Sequence, residues 1–134
     1  MVTDEQQEAL VKAACQAREK AYAPYSHYDV GAAVLTEDGR IITGVNVENV
    51  SYGLTICAER SAVFTAVGKG SSKIVAVAVC SPNAAAPCGA CRQVISEFAG
   101  DILILMSDKH GNVRATKLHI LLPDFFTPEH LRSA

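Results

Sequence analysis

The chain reads as an α/β protein, a three-layer α/β/α sandwich around a mixed sheet of five strands, and two observations carry that reading. Apolar runs of strand length, Ile74 to Cys80 and Ile102 to Ser107, alternate with helical stretches, Cys57 to Val67 and Gly89 to Phe98, a pattern that implies right-handed crossovers and parallel neighbours. Ahead of them, Val30 to Leu35 and Ile41 to Val47 are separated by Glu37, Asp38, Gly39 and Arg40, the mark of an antiparallel hairpin. A hairpin joined to parallel strands makes the sheet mixed.

Taken in order, the elements are punctuated by their own caps and breakers. Thr3 and Gln6 stand at capping-box spacing, and Leu10, Val11, Ala14 and Ala17 or Ala21 follow a helical stripe, so a helix is predicted across Thr3 to Tyr22 with Pro24 ending it. A polar loop, Asn49 to Gly53, follows the hairpin, and the next helix closes at Gly68 and Gly70. The chain then loops through Pro82 and Pro87 into the third helix, which closes at Gly100. Lys109 to Asn112 forms a turn, Val113 to Lys117 a short edge strand, and Thr127 with Pro128 a cap and first-turn proline for a last short helix.

Size and composition exclude several classes of function. At 134 residues there is room for one compact core, so residues 1–134 are expected to form a single domain. Hydrophobic residues make up 49% and charged ones 19%, which argues against a long disordered tail. No apolar run approaches the roughly 18 residues of a membrane span. Asp4, Glu5 and Glu8 stand where a secretory signal would be basic and then apolar, so the expected location is the cytoplasm. Twelve Lys and Arg are scattered among fourteen Asp and Glu for a net charge of -2, which leaves no basic footprint for a nucleic acid. A small, uncharged substrate is easier to accommodate.

The five cysteines are the most informative residues. An odd number without an export signal argues against a disulfide framework and for metal or catalytic use. Cys88 and Cys91 form a CxxC on the string PCGAC, which alone admits a zinc pair, a redox pair of the thioredoxin kind or two small buried hydrophobes. The pair opens a predicted helix just after Pro87, where free backbone N–H groups and the helix dipole favour thiolates. Cys57 stands at the start of another predicted helix, in the string Cys57, Ala58, Glu59, Arg60. Two helix N-termini would then converge on one metal lying off the helix ends. Three ligands also suit chemistry, because a catalytic zinc keeps its fourth position for water whereas a structural site is closed by four. The competing reading is a structural zinc completed by Cys15, Cys80, His27, His110 or His119, none of which stands in a paired motif; Cys15 and Cys80 read as core residues.

CxE followed by PCxxC, with a glutamate that moves protons without binding metal, is the signature of the zinc deaminases. CAER and PCGACRQ, together with YAPYSHY, VGAAV, GVNVENVSYG and LLPDFF, make the chain resemble the cytidine deaminases over most of its length. The resemblance implies a cytidine deaminase-like fold, hydrolysis of the amino group of cytidine or deoxycytidine, and one zinc ion held by Cys57, Cys88 and Cys91. It casts Glu59 as the proton shuttle to the pyrimidine, Asn46 and Glu48 as the ribose-binding pair, and Tyr28, Ala58 and Phe126 as further substrate contacts. Arg60 and Gln93 would support the ligands from behind. It also implies a homotetramer in which Phe126 reaches a neighbouring active site. The sequence departs from the family pattern at Tyr28, where phenylalanine is usual, at Asp29, at Ala86 and at the extra Phe125. A deaminase of a modified nucleoside such as blasticidin is the nearest enzymatic alternative, though SYGLTICAER and the aromatic C-terminus lean toward cytidine.

Overall fold

The computed structural model describes residues 1–134. Its five strands, β1 Gly31–Thr36, β2 Ile41–Val45, β3 Ile74–Cys80, β4 Leu103–Ser107 and β5 Val113–Lys117, form one sheet in the order β2-β1-β3-β4-β5. β3 and β4 are parallel, and every other neighbouring pair is antiparallel, so the mixed sheet expected from the sequence stands. The helices are α1 Asp4–Arg18, α2 Ala58–Gly68, α3 Gly89–Glu97, α4 Leu118–Leu121 and α5 Pro128–Arg132.

The three layers follow from the strand period of two. In β1, Ala33 and Leu35 pack with Leu10 and Ala14 of α1, while Ala32 and Val34 pack with Ala62, Val63 and Ala66 of α2 and Ile95 of α3. Both faces are therefore covered. All six residues of β1 are buried, which is why the strand reads as a continuous apolar run without alternation.

Two glycines set how closely the layers approach. A Cβ at Gly31 would lie 2.1 Å from the Ala14 carbonyl oxygen, and one at Gly44 would lie 2.3 Å from the Ala62 nitrogen. Only a residue with no side chain lets helix backbone rest on strand backbone at those points. α1 is thereby seated on one side of the hairpin and α2 on the other.

The capping box at Thr3 and Gln6 forms, with Gln6 N donating to Thr3 Oγ1 at 3.1 Å and Thr3 N donating to Gln6 Oε1 at 2.9 Å. α1 ends at Arg18, short of the expected Tyr22, because Tyr22 is drawn into a parallel bridge with Val47. Its N–H donates to Asn46 O at 3.0 Å and its carbonyl accepts from Glu48 N at 2.9 Å. β2 likewise stops at Val45, since Val47 also bridges to Ile56. A 3₁₀ turn at Tyr52–Leu54 and the single turn of α4 carry no sequence signal of their own.

Cys15 and Cys80 form a disulfide between α1 and β3, with Cα atoms 5.1 Å apart. This corrects the expectation of two independent core thiols. The partners are 65 residues apart, and only the seating of α1 across β1 and β3 brings them together. No helix is long and apolar enough to cross a membrane.

Candidate metal centre and pocket

Cys57 is the N-cap residue of α2 and Cys88 that of α3; both have extended backbone, and neither side chain caps its own helix. Their sulfurs are thus free to project off the helix ends, where both helix dipoles present partial positive charge. Cys91 lies in the first turn of α3 and is buried. The sulfurs of Cys57 and Cys88 are 3.8 Å apart and those of Cys88 and Cys91 3.5 Å, and all three lie within 4.8 Å of one another. Tetrahedral zinc with sulfur at about 2.3 Å needs sulfurs about 3.8 Å from each other, so the triad fits the ion. None of the histidines joins the group, and Cys15 and Cys80 are bonded to each other. The donor set is therefore three thiols, which leaves a fourth position for a non-protein ligand.

Charge at this centre is arranged around Cys57. A hydrogen bond from Cys91 is the largest influence on its thiol and, with the Arg60 guanidinium, lowers it to about 5 against the opposing cost of burial. Cys91, as the donor in that pair, is pushed well above the ordinary thiol range by the same bond and by burial. Arg60 donates from Nη2 to the Cys57 sulfur at 3.3 Å, and its Nε is buried with no partner.

Glu59 is only 4% exposed. Burial, and then the negative charge of Cys57, push its carboxyl up to about 7, outweighing the backbone hydrogen bond and the Arg60 charge that act the other way. A carboxyl that is part acid and part base at neutral pH can both accept and deliver a proton.

A pocket of about 390 Å³ opens on this centre, with Cys57, Cys88, Glu59 and the fully buried Ala58 in its wall. Tyr28, Asn46 and Glu48 line it as well. A larger depression of about 820 Å³ lies at the opposite ends of β3 and β4, lined by Met1, Ile74 and Leu103 among others; the thiol triad is not part of it.

The resemblance makes Asn46 and Glu48 a ribose-binding pair. Both are buried, at 8% and 5% exposure, and both grip the loop that precedes β1. Asn46 donates from Nδ2 to Tyr28 O at 2.8 Å and accepts at Oδ1 from Val30 N at 3.0 Å. Glu48 accepts at Oε1 from Tyr25 N at 2.9 Å and Ser26 N at 3.1 Å, and at Oε2 from the Ser26 hydroxyl. Burial pushes the Glu48 carboxyl up, yet these three donors together hold it below the ordinary carboxylate range.

Gln93 of α3 meets Phe126 of the C-terminal segment. Gln93 donates from Nε2 to Phe126 O at 2.9 Å, which tethers the C-terminal segment. Phe126 is 58% exposed and stacks on His130 with ring centroids 5.8 Å apart, outside the pocket of its own chain. Of the departures from the family pattern, Ala86 lines the pocket, the Asp29 carbonyl accepts from Arg18 Nε at 2.8 Å, and Phe125 packs on His119.

Sequence reasoning passed over Ser26, Thr55 and Asn83. Ser26 sits inside the quoted string YAPYSHY, but the Glu48 carboxylate it meets is 22 positions away, so no local pattern marks it. Thr55 lines the pocket with its buried hydroxyl unpaired, and nothing in the sequence marks it. Asn83 accepts the Tyr28 hydroxyl across 55 positions of sequence.

Residues 4–106 match the family model of the cytidine and deoxycytidylate deaminase zinc-binding region. A cytidine deaminase of Halalkalibacterium halodurans is 46% identical over 125 residues, covering 91% of this chain and 95% of that protein. The blasticidin-S deaminase of Bacillus cereus is more distant, 33% identical over 128 residues, covering 88% and 90%. Among solved structures, the cytidine deaminase of Burkholderia pseudomallei superposes with a TM-score of 0.85 at 48% identity, covering 89% of this chain and 98% of that one. The match spans the fold, the thiol triad and the buried glutamate together, and the chain belongs to the cytidine and deoxycytidylate deaminase family.

Proposed function

We propose that this protein hydrolyses the 4-amino group of cytidine and 2'-deoxycytidine, giving uridine or 2'-deoxyuridine and ammonia, as a single-domain cytoplasmic enzyme of pyrimidine salvage. The observation that carries the reading is a buried Glu59, held near neutrality, in one pocket with a zinc-spaced triad of thiols and with Glu48.

Zinc held by Cys57, Cys88 and Cys91, when bound, supplies a Lewis acid that activates water for attack at C4. Glu59 is placed to take a proton from the attacking water and pass it to N3 of the pyrimidine as the water oxygen bonds to C4. The same carboxylate then takes the proton of the new C4 hydroxyl and delivers it to the amino group, so that the C4–N4 bond breaks, the C4 carbonyl forms and ammonia leaves. Three thiolates exceed the charge of the ion they hold, so Arg60 and the N–H groups of both helix starts offset the surplus. At the sugar, an ionised carboxylate offers about four acceptor sites. Three on Glu48 are taken by Tyr25 and Ser26, leaving one for a ribose hydroxyl, and Asn46 keeps a second amide hydrogen to donate. Tyr28 and Ala58 form the apolar slot for a flat base.

Assembly completes the site in this reading. The chain forms a homotetramer, and Phe126 closes the pocket of a neighbouring subunit against water. Supporting it, Phe126 is exposed and so are Ile120 at 71% and Leu131 at 69% in the same C-terminal segment. Light scattering on the wild type and on Phe126→Ala tests the arrangement: a tetramer whose variant binds cytidine poorly is expected, and a fully active monomer refutes it. For the activity itself, the ultraviolet absorbance of cytidine should fall when zinc-loaded protein is added. An unchanged spectrum sinks the proposal, and turnover of blasticidin S in its place reassigns the substrate.

A further inference from the structure

The aromatic wall of the pocket carries a polar atom that the reaction does not use. Tyr28 lines the pocket, and its hydroxyl donates to Asn83 Oδ1. Tyr28 is part-buried and lines the pocket, whereas Asn83 is exposed and lies outside the lining. Asn83 belongs to the segment between β3 and α3, which ends at Cys88. Several bonds keep that segment in place: Asn83 bridges Asp108 through the backbone, Ala85 N donates to Ser81 Oγ at 3.0 Å, and Arg114 donates from Nε and Nη2 to Ala84 O at 3.2 and 3.0 Å. The acceptor offered to the tyrosine is therefore fixed in space.

A hydroxyl at the rim of an apolar slot needs a partner. If it finds none, it draws water toward the slot or turns the ring, and the cost falls on the partner left behind and not evenly on both. Here the two sides differ. Asn83 is solvent-exposed and can accept from water at little cost, while Tyr28 borders the space the base must occupy.

We propose that Asn83 is a positioning residue for substrate binding: it takes the Tyr28 hydroxyl outside the pocket and so presents the ring's apolar face, and not its oxygen, to the bound base. The inference rests on the nucleoside-deaminase reading of the same pocket. It assigns Asn83 no contact with substrate and no part in proton transfer, so its effect falls on binding and is conditional on the tyrosine oxygen.

The test is a mutant cycle on the zinc-loaded, assembled protein, reading KM and kcat for cytidine with zinc content and melting temperature measured alongside. Asn83→Ala is expected to raise KM about fivefold or more while kcat stays within about twofold. Tyr28→Phe serves as its own reference, and the double variant Tyr28→Phe/Asn83→Ala should return to the KM of Tyr28→Phe, because no hydroxyl is left to strand. Asn83→Asp, which keeps an acceptor oxygen, should stay near the wild-type KM. Should Asn83→Ala lose zinc or its fold, Asn83→Leu, close in volume and without an acceptor, replaces it. An unchanged KM in the acceptor-free variant, or a penalty that persists in the double variant, overturns the proposal. Failure of the wild type to act on cytidine overturns the deaminase reading instead, and the same cycle is then read on the Kd of uridine by calorimetry.

Discussion

Arg60 Nη2 lies 3.3 Å from the Cys57 sulfur, three positions along in sequence, so the cation that offsets the thiol triad is carried by the same helix that carries Glu59. Removing it leaves the charge by which three thiolates would exceed a bound zinc ion offset by backbone dipoles alone. Arg60→Gln is therefore expected to release zinc about 10- to 100-fold more readily to a competing chelator and to lose activity on a similar scale, the usual cost of losing a group behind a metal ligand. Equal zinc retention in wild type and variant would remove Arg60 from that role.

Glu59→Gln separates proton transfer from assembly. The amide keeps the volume of a side chain that is 4% exposed and binds no metal, so zinc content and fold should be retained. Deamination should fall by about 10² to 10⁴, or roughly 3 to 5 kcal/mol in the barrier. Near-normal turnover with zinc in place would contradict the assignment.

The Glu48 carboxylate gives a stability effect at acid pH with a definite sign. Its folded value is depressed by the donors on Ser26 and Tyr25, so the contribution is fully present above the unfolded value of 4.5 and is lost as pH falls through the folded value. Melting temperatures recorded from pH 7 down to pH 3 should drop more steeply for the wild type than for Glu48→Gln. Parallel curves would show that the loop before β1 does not depend on the charge.

The Cys15–Cys80 bond closes a loop of 65 residues, for which the chain-entropy account gives about 4 kcal/mol of stabilisation. A phosphine reductant that does not bind zinc should lower the melting temperature of the wild type and leave a Cys15→Ser/Cys80→Ser variant unaffected. If reductant acts equally on both, the crosslink is not what stabilises the fold.

Patterns local in sequence were the legible part of this protein. The hairpin, the β3 and β5 spans, the capping box at Thr3 and the placement of Cys57 and Cys88 at helix starts all follow from signals within a few residues of each other. The triad needed one step more, two local motifs whose meeting is implied by chemistry. What stayed hidden depends on tertiary closure. Tyr22 leaves its helix because the Asn46 and Glu48 backbone claims it, Cys15 meets Cys80 because α1 crosses β3, and Gln93 reaches Phe126 because the C-terminal segment folds back over α3. Glu48 shows the limit most clearly. Nothing local marks it or Asn46 as buried, yet both anchor the loop before β1.

The contact between Gly44 and Ala62 means that part of the ion's address is written in a residue with nothing to donate. A methyl group there cannot be accommodated by a side-chain rotation, since what it meets is helix backbone, so α2 would have to lift and take Cys57 and Glu59 away from Cys88 and Cys91. A mutational scan scored by turnover would rank Gly44 alongside the ligands, and only a scan scored by metal retention would reveal that its contribution is a distance.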